Sequence, residues 1–361
     1  MIKKIIAGVM LLSAISLSLL SFNSLAKESK NGVVITNENF IHADSTRAFL
    51  KELAQNNNKV NVIRPVREFA NTDNQDIIRM NSDTLYTRII LDVKGGATIT
   101  TKEYDGFQNI QVLDINHSEI KTLMGSGTVK VDETMLSEGR HAYVLVRTGL
   151  LRNLPEEEGF KKAHKAQDAI SITYKSSEPW TPPVKYDFST LGKVKYKILS
   201  DFVEHPVKDT VKKGFGTVDS RDPASARIVV AVGWGGMSGT NAVYSSFSAK
   251  GDRRSATIDK PNLHFDKKGF FSFSMYNANG YIATMNYAIN SDDMIANEDG
   301  TYTINFLASG EPVKEGEHNV VRTPRGKLWT GIIRAYYPKD KDETFVWADG
   351  WAAKLTKEFM Q

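Results

Sequence analysis

The sequence predicts a mostly β, α+β protein: two β-rich modules, sandwich- or jelly-roll-like, joined by a helical insertion. Three observations carry this expectation. Apolar and polar residues alternate with period two between positions 84 and 148 and again in the last third of the chain. Between these stretches the alternation disappears, and Pro155 followed by Glu156, Glu157 and Glu158 has the composition of a helix's first turn, where acids favour the dipole. At 361 residues the chain is also long for a single core, so two modules are the default.

The first element is an export signal over residues 1–26. Lys3 and Lys4 form its basic start, Ile5 to Leu20 an uncharged apolar run, and Ser24 and Ala26 the small residues before a cut. The apolar run is short for a membrane span, so stable insertion is not expected once it is cleaved. The periplasm is the expected address, with full secretion as the alternative. Cysteine is absent from the sequence, which rules out a lipid-anchored cysteine and disulfides alike. Losing the two signal lysines lowers an already small formal charge of +4, which argues against a nucleic-acid partner.

The N-terminal β-rich module spans residues 27–150. A polar arm leads to a helix capped at Asp44 or Ser45 and running through Phe49, Leu50 and Leu53. Strands follow at 84–93, 97–102, 107–115 and 141–147. In the first of these, Leu85, Thr87, Ile89 and Leu91 share one face, and Tyr86, Arg88, Ile90 and Asp92 share the other. The insertion, 151–225, holds a helix from Pro155 to Ile170, a proline-rich loop over 176–183 and a helix from Tyr196 to Glu204. Pro206 breaks that helix, which resumes to Gly214. The C-terminal β module, 226–361, begins with an apolar strand over Arg227–Val232 and a glycine-rich run over 233–239. Strands at 270–276 and 281–286 flank the turn Asn277-Ala278-Asn279-Gly280. Further strands lie at 302–307 and 329–337.

Familiar chemical motifs are missing. Neither phosphate-cradling glycine loop occurs, Gly236-Met237-Ser238-Gly239 lacks the last glycine of a nucleophile elbow, and the seven histidines are scattered. No metal or cofactor is therefore expected. What remains is a set of strand-borne polar residues. Asn81 and Asp83 stand at a strand entrance, and Tyr86 and Arg88 share its polar face. On the strand at 329–337, Arg334 and Tyr336 project together, and Tyr276 lies on the polar face of the strand at 270–276. A phenol beside a guanidinium can bind a carboxylate. Two such pairs could line one cleft between the modules, with Trp234 as a stacking surface beside its glycines. Each residue also has a structural alternative: a turn at Asn81–Asp83, an Arg88–Asp92 ion pair, amphipathic surface strands, a packed core tryptophan.

These residues also carry a resemblance. Asn81-Ser82-Asp83-Thr84-Leu85-Tyr86 and the stretch from Gly106-Phe107-Gln108 to Asp114 resemble the bacterial domain of unknown function 1254. The run from Gly269 to Tyr281, Asp299-Gly300 and Arg334-Ala335-Tyr336-Tyr337-Pro338 resemble its usual C-terminal partner, domain of unknown function 1214. Together the likenesses cover roughly residues 55–350. They imply two β-rich modules with helical connections, usually exported, and bring no settled catalytic residues. An activity on acidic polysaccharides, of the alginate-lyase kind, is the wider family's suggestion.

Two expectations of function follow. One is a binder or enzyme acting on an anionic ligand, such as a uronate-containing saccharide or another small acidic molecule. Asn81, Asp83, Arg88, Trp234, Tyr276 and Arg334 would bind it, and Tyr86 and Tyr336 would carry any β-elimination. The other is a non-catalytic envelope protein that meets a partner through its β surface.

Overall fold

The computed structural model describes residues 32–75 and 77–361, so the expected signal over 1–26 lies outside the described residues. The arm is tied down where it enters: β1 (Val33–Val34) pairs in parallel with β10 (Tyr186–Asp187) of the insertion. Helix α1 (Phe40–Ala54) then starts ahead of its expected cap. Asp44 and Ser45 are buried inside it; Asp44 pairs with Arg47 at 2.7 Å.

The alternating segments of the N-terminal module form two sheets. Strands β2 (Arg64–Pro65), β3 (Thr84–Asp92), β5 (Gln108–Leu113), β6 (Glu119–Met124) and β8 (His141–Gly149) make a five-stranded antiparallel sheet in the order β2-β3-β8-β5-β6. Strands β4 (Ala97–Thr100) and β7 (Thr128–Val131), together with β9 (Ser171–Tyr174) contributed by the insertion, make a second, in the order β7-β4-β9. Ile89, Leu91, Val112, Val144 and Val146 of the larger sheet pack with Ile99, Val129 and Val131 of the smaller, which is the face that the period-two pattern selects. Fully burying each such side chain contributes about 1.5–3 kcal/mol. The other face of the larger sheet is only partly apolar: Ile90, Tyr143 and Leu145 take Phe49 and Leu53 of α1. Beyond them stand the polar residues of the site.

Besides β9 and β10, the insertion holds the helices α2 (Glu156–Asp168), α3 (Leu191–Glu204) and α4 (Thr210–Gly214). A fourth helix overturns one expectation: the apolar run expected as a strand over 227–232 belongs to α5 (Pro223–Val232). The Asp222 carboxylate accepts from the Ser225 N–H at 2.7 Å and Pro223 occupies the first turn, a complete helix start. Ile228, Val230 and Ala231 bury against Phe40 and Leu199, and this packing overrides the β preference of the branched residues.

In the C-terminal module, β11 (Ala242–Ala249), β13 (Phe270–Asn277), β14 (Ala288–Asn290) and β17 (Trp329–Tyr336) form a sheet in the order β11-β17-β13-β14. Strands β12 (Arg253–Ile258), β15 (Tyr302–Ala308) and β16 (Val320–Thr323) form a second, in the order β12-β15-β16. Phe247, Phe271, Phe273 and Met275 share a core with Ile304, Phe306 and α6 (Lys341–Phe359), a helix that the sequence pattern did not predict. The turn at Asn277–Gly280 is present, with Gly280 at φ 82°, but residues 281–286 do not form a strand. Asn286 adopts φ 52°, outside the extended region, and pairing resumes only at Ala288. Among the described residues, no helix is long and apolar enough to cross a membrane.

The faces of the two larger sheets that point away from their own cores meet each other. Phe107 sets edge-on against Phe270 at 5.0 Å and against Tyr336 at 5.5 Å.

Candidate functional site

Strand register places the site's chemistry. In the β3–β8 ladder Tyr86 lies directly opposite Arg147, and in the β11–β17 ladder Tyr244 lies directly opposite Arg334. Directly opposed residues hold their Cβ atoms about 4.5–5.5 Å apart, so each large sheet presents one phenol–guanidinium pair. Because the sheets face each other, both pairs border one cavity of about 720 Å³, within the range of small-molecule sites, about 300–1,000 Å³.

Asn81 joins the two sheets across this cavity. Its side-chain Nδ2 donates to the Tyr336 hydroxyl at 3.1 Å and to the Tyr86 hydroxyl at 3.3 Å. Its Oδ1 accepts from the Asp83 N–H at 3.2 Å, so the turn geometry expected here is present and does further work. Both phenol oxygens therefore accept, and among the described residues neither hydroxyl hydrogen has an acceptor. A phenol in that state can donate to a ligand. Burial, first of all, holds the Tyr336 phenol well above its ordinary pKa and pushes Tyr244 up to about 12. Both are neutral donors at neutral pH.

The guanidinium groups are held by neutral partners. Arg147 donates to Gln111 Oε1 at 3.0 Å and to the Gly235 carbonyl at 2.6 Å, and lies 5.4 Å from the Tyr86 ring centre. Arg334 donates to Ser274 Oγ at 2.7 Å, to the Arg79 carbonyl at 2.8 Å and to the Tyr276 hydroxyl at 2.9 Å. Arg79 also lines the cavity, its Nε is buried without a partner, and burial and the charge of Arg334 pull its pKa down to about 10. Arg88 does not pair with Asp92, which is taken by Arg140 at 2.6 Å; it stands 4.0 Å from Glu52. Glu52 in turn receives two bonds from Arg64, at 2.6 and 2.5 Å. In all, seven cationic side chains line the cavity: Arg47, Lys51, Arg64, Arg79, Arg88, Arg147 and Arg334. Two carboxylates, Glu52 and Asp349, join them among the described residues.

Six of the residues singled out by sequence meet here: Asn81, Tyr86, Arg88, Trp234, Arg334 and Tyr336 all line the cavity. Asp83 and Tyr276 do not. Asp83 lies buried behind the wall, accepting from Ser272 Oγ at 2.8 Å, and burial pushes its carboxyl upward against the pull of Arg334. Tyr276 is also fully buried; it receives Arg334 and donates to the Met80 carbonyl at 2.6 Å. Tyr276 holds Arg334 directly, Asp83 acts on it only through charge, and neither lines the cavity. Trp234 borders the cavity, but its indole N–H is taken by Ser45 at 3.1 Å and its ring sits edge-on against Tyr143 and His117. It is a packed wall, with little of the freedom of a stacking platform. The neighbouring glycines serve the wall: Gly235 has φ 84°, and a side chain at Gly236 would overlap the Phe215 ring.

Sequence reasoning missed Arg147, Tyr244 and Arg79. A signal for Arg147 was present, since it ends the otherwise uncharged run Ala142–Val146 with a charge that needs a polar destination. Arg79 had none, because its carbonyl and guanidinium enter the site through a loop. Among the described residues, no group of three metal-ligating side chains converges.

Residues 245–340 match the family model "Protein of unknown function (DUF1214)", a stretch that includes Tyr276, Arg334 and Tyr336. The VPA0106 protein from Vibrio parahaemolyticus has a similar solved structure. The TM-score is 0.60 at 15% identity, covering 85% of this chain and 94% of that one. An uncharacterized protein from Burkholderia cenocepacia gives a TM-score of 0.48 at 15% identity, covering 92% and 90%. No curated protein matches the chain. At this identity the Vibrio likeness speaks to the fold alone.

Proposed function

We propose that the protein binds a small carboxylated ligand in the cavity between its two large sheets. The observation that carries this reading is the outward-facing donor set: two phenols with free hydrogens, fixed by Asn81 between Arg147 and Arg334. Preorganised donors of this kind suit an anionic oxygen and need no rearrangement to receive it. A uronate saccharide and a simple organic acid both present such an oxygen. Binding fits this set better than elimination does. A phenol held protonated by burial can give a proton to a leaving oxygen, but it is a poor base for carbon acid chemistry.

The test is calorimetric titration with trigalacturonate and with decanoate, each against its uncharged ester or alcohol counterpart. At least one carboxylate should bind at least tenfold more tightly than its counterpart, and Tyr86→Phe, which removes one donor of the cradle, should weaken it by about tenfold or more. A charge-assisted bond contributes about 1.5–3 kcal/mol, and about 1.4 kcal/mol is one decade. Equal affinity for charged and uncharged probes would reject the proposal.

We further propose that the N-terminal module is of the 1254 type and that the protein works outside the cytoplasm, in the periplasm. The support is the sequence pattern of residues 1–26 and the run Asn81–Tyr86. Sequencing the native N-terminus should find Lys27 first; an intact Met1 would reject the location.

A further inference from the structure

The cavity has a second character that the carboxylate reading leaves unused. Its lining residues drawn from positions 202–236, the insertion and the start of the following loop, carry no charge at all. Phe202, Val211, Phe215, Ile228, Val229 and Val232 make this wall apolar. Its polar side chains are already engaged: Thr210 donates to the Val207 carbonyl at 2.7 Å, and the Trp234 indole to Ser45. The cations come from other segments, namely α1, the chain from Arg64 to Arg88, β8 and β17. Charge is therefore kept off this wall, while Leu50, Ile78, Leu145 and Ile332 add hydrocarbon from the segments that carry the cations.

A sugar ring placed against that wall would leave its hydroxyl groups without partners, and each unpaired buried polar group is costly. A hydrocarbon placed there loses nothing and removes apolar surface from water on both sides. Resting on the carboxylate reading above, we propose that the ligand is an amphipathic organic acid. Its carboxyl group sits on the Asn81–Tyr86–Tyr336 cradle between Arg147 and Arg334, and an aliphatic body lies along the wall built by residues 202–232.

The experiment is a calorimetric series with hexanoate, octanoate and decanoate, each below its micelle-forming concentration, with decanol and trigalacturonate alongside. The expected result is a rise in affinity of about fourfold per added methylene, the worth of one buried CH₂, with decanol at least tenfold weaker than decanoate. Phe202→Ser should flatten the chain-length dependence while keeping the preference for decanoate over decanol. Trigalacturonate binding in the absence of any gain with chain length would overturn the amphipathic inference and leave the carboxylate reading standing. Decanol binding as tightly as decanoate, with no response to trigalacturonate, would overturn both. No binding of any probe would also overturn both.

Discussion

Asn81→Asp is the sharpest perturbation of this site, because it reverses hydrogen-bond polarity while barely changing shape. Asn81 is 6% exposed, and its Nδ2 touches both phenol oxygens at 3.1 and 3.3 Å. A carboxylate oxygen in that place can only accept, so both phenol hydrogens would turn inward to it. The cradle would lose two donors, and the ligand would meet a like charge. Losing a single bond to an anionic oxygen, about 1.5–3 kcal/mol, already means one to two decades in Kd. The nearby Arg147 and Arg334 and the two reversed bonds offset the cost of burying the new charge, so the urea midpoint should move little. Calorimetry with decanoate, paired with urea unfolding monitored by circular dichroism, reads both effects. A folded variant that binds decanoate as the unmodified protein does would refute the claim that Asn81 orients the phenols.

The core and its acid response give two further expectations. Gly331→Ala places a methyl group in overlap with the Phe247 ring and 3.0 Å from Met275 Cε, so urea unfolding should show a loss of about 1–3 kcal/mol, with native-like stability counting against the packing described. His117 is buried and accepts from the Gly235 N–H, and burial, aided by the charge of Arg221, pulls its pKa from the ordinary 6.5 to about 3. Between those values the unfolded chain binds a proton that the folded one refuses. Its contribution is therefore complete above pH 6.5 and is lost as pH falls, with a slope approaching about 1.4 kcal/mol per unit. The raised carboxyls of Asp83, Asp292 and Asp349 act in the opposite sense near pH 4, so the comparison with a variant is what isolates the histidine. His117→Asn, which tolerates the native φ of 56°, should flatten the stability curve between pH 6.5 and 4; an unchanged slope would count against this account.

The alternation in β3 and β17 makes both sheets and half of the site legible from sequence. Period two assigns faces without ambiguity, so spacing alone pairs Tyr86 with Arg88 and Arg334 with Tyr336. Where a segment is apolar all round, periodicity is silent. That is why Arg227–Val232, with Ile228, Val229, Val230 and Ala231 buried in α5, reads as a strand although Asp222-Pro223 announces a helix. The facing of the two sheets is not legible, because it depends on contacts such as Phe107 with Phe270, more than 160 residues apart. Nor is the burial of Asp83 against Ser272, or the role of Tyr276 as a support behind Arg334, since depth behind a strand face leaves no trace in spacing.

The cradle is divided between the two halves of the chain. Asn81, Tyr86 and Arg147 precede the insertion, and Tyr244, Arg334 and Tyr336 follow it. Neither half in isolation offers the full donor set; the segment 245–340 alone brings one guanidinium and one phenol of it. A ligand that needs both halves reports on their juxtaposition, so its binding energy adds to the cohesion of the docked state. At a hundred times Kd that gain is about 2.7 kcal/mol, comparable to removing or restoring a large core side chain. A molecule bound there as proposed would act as a clasp between two modules. The protein's resistance to heat and proteolysis should then rise and fall with the supply of that molecule.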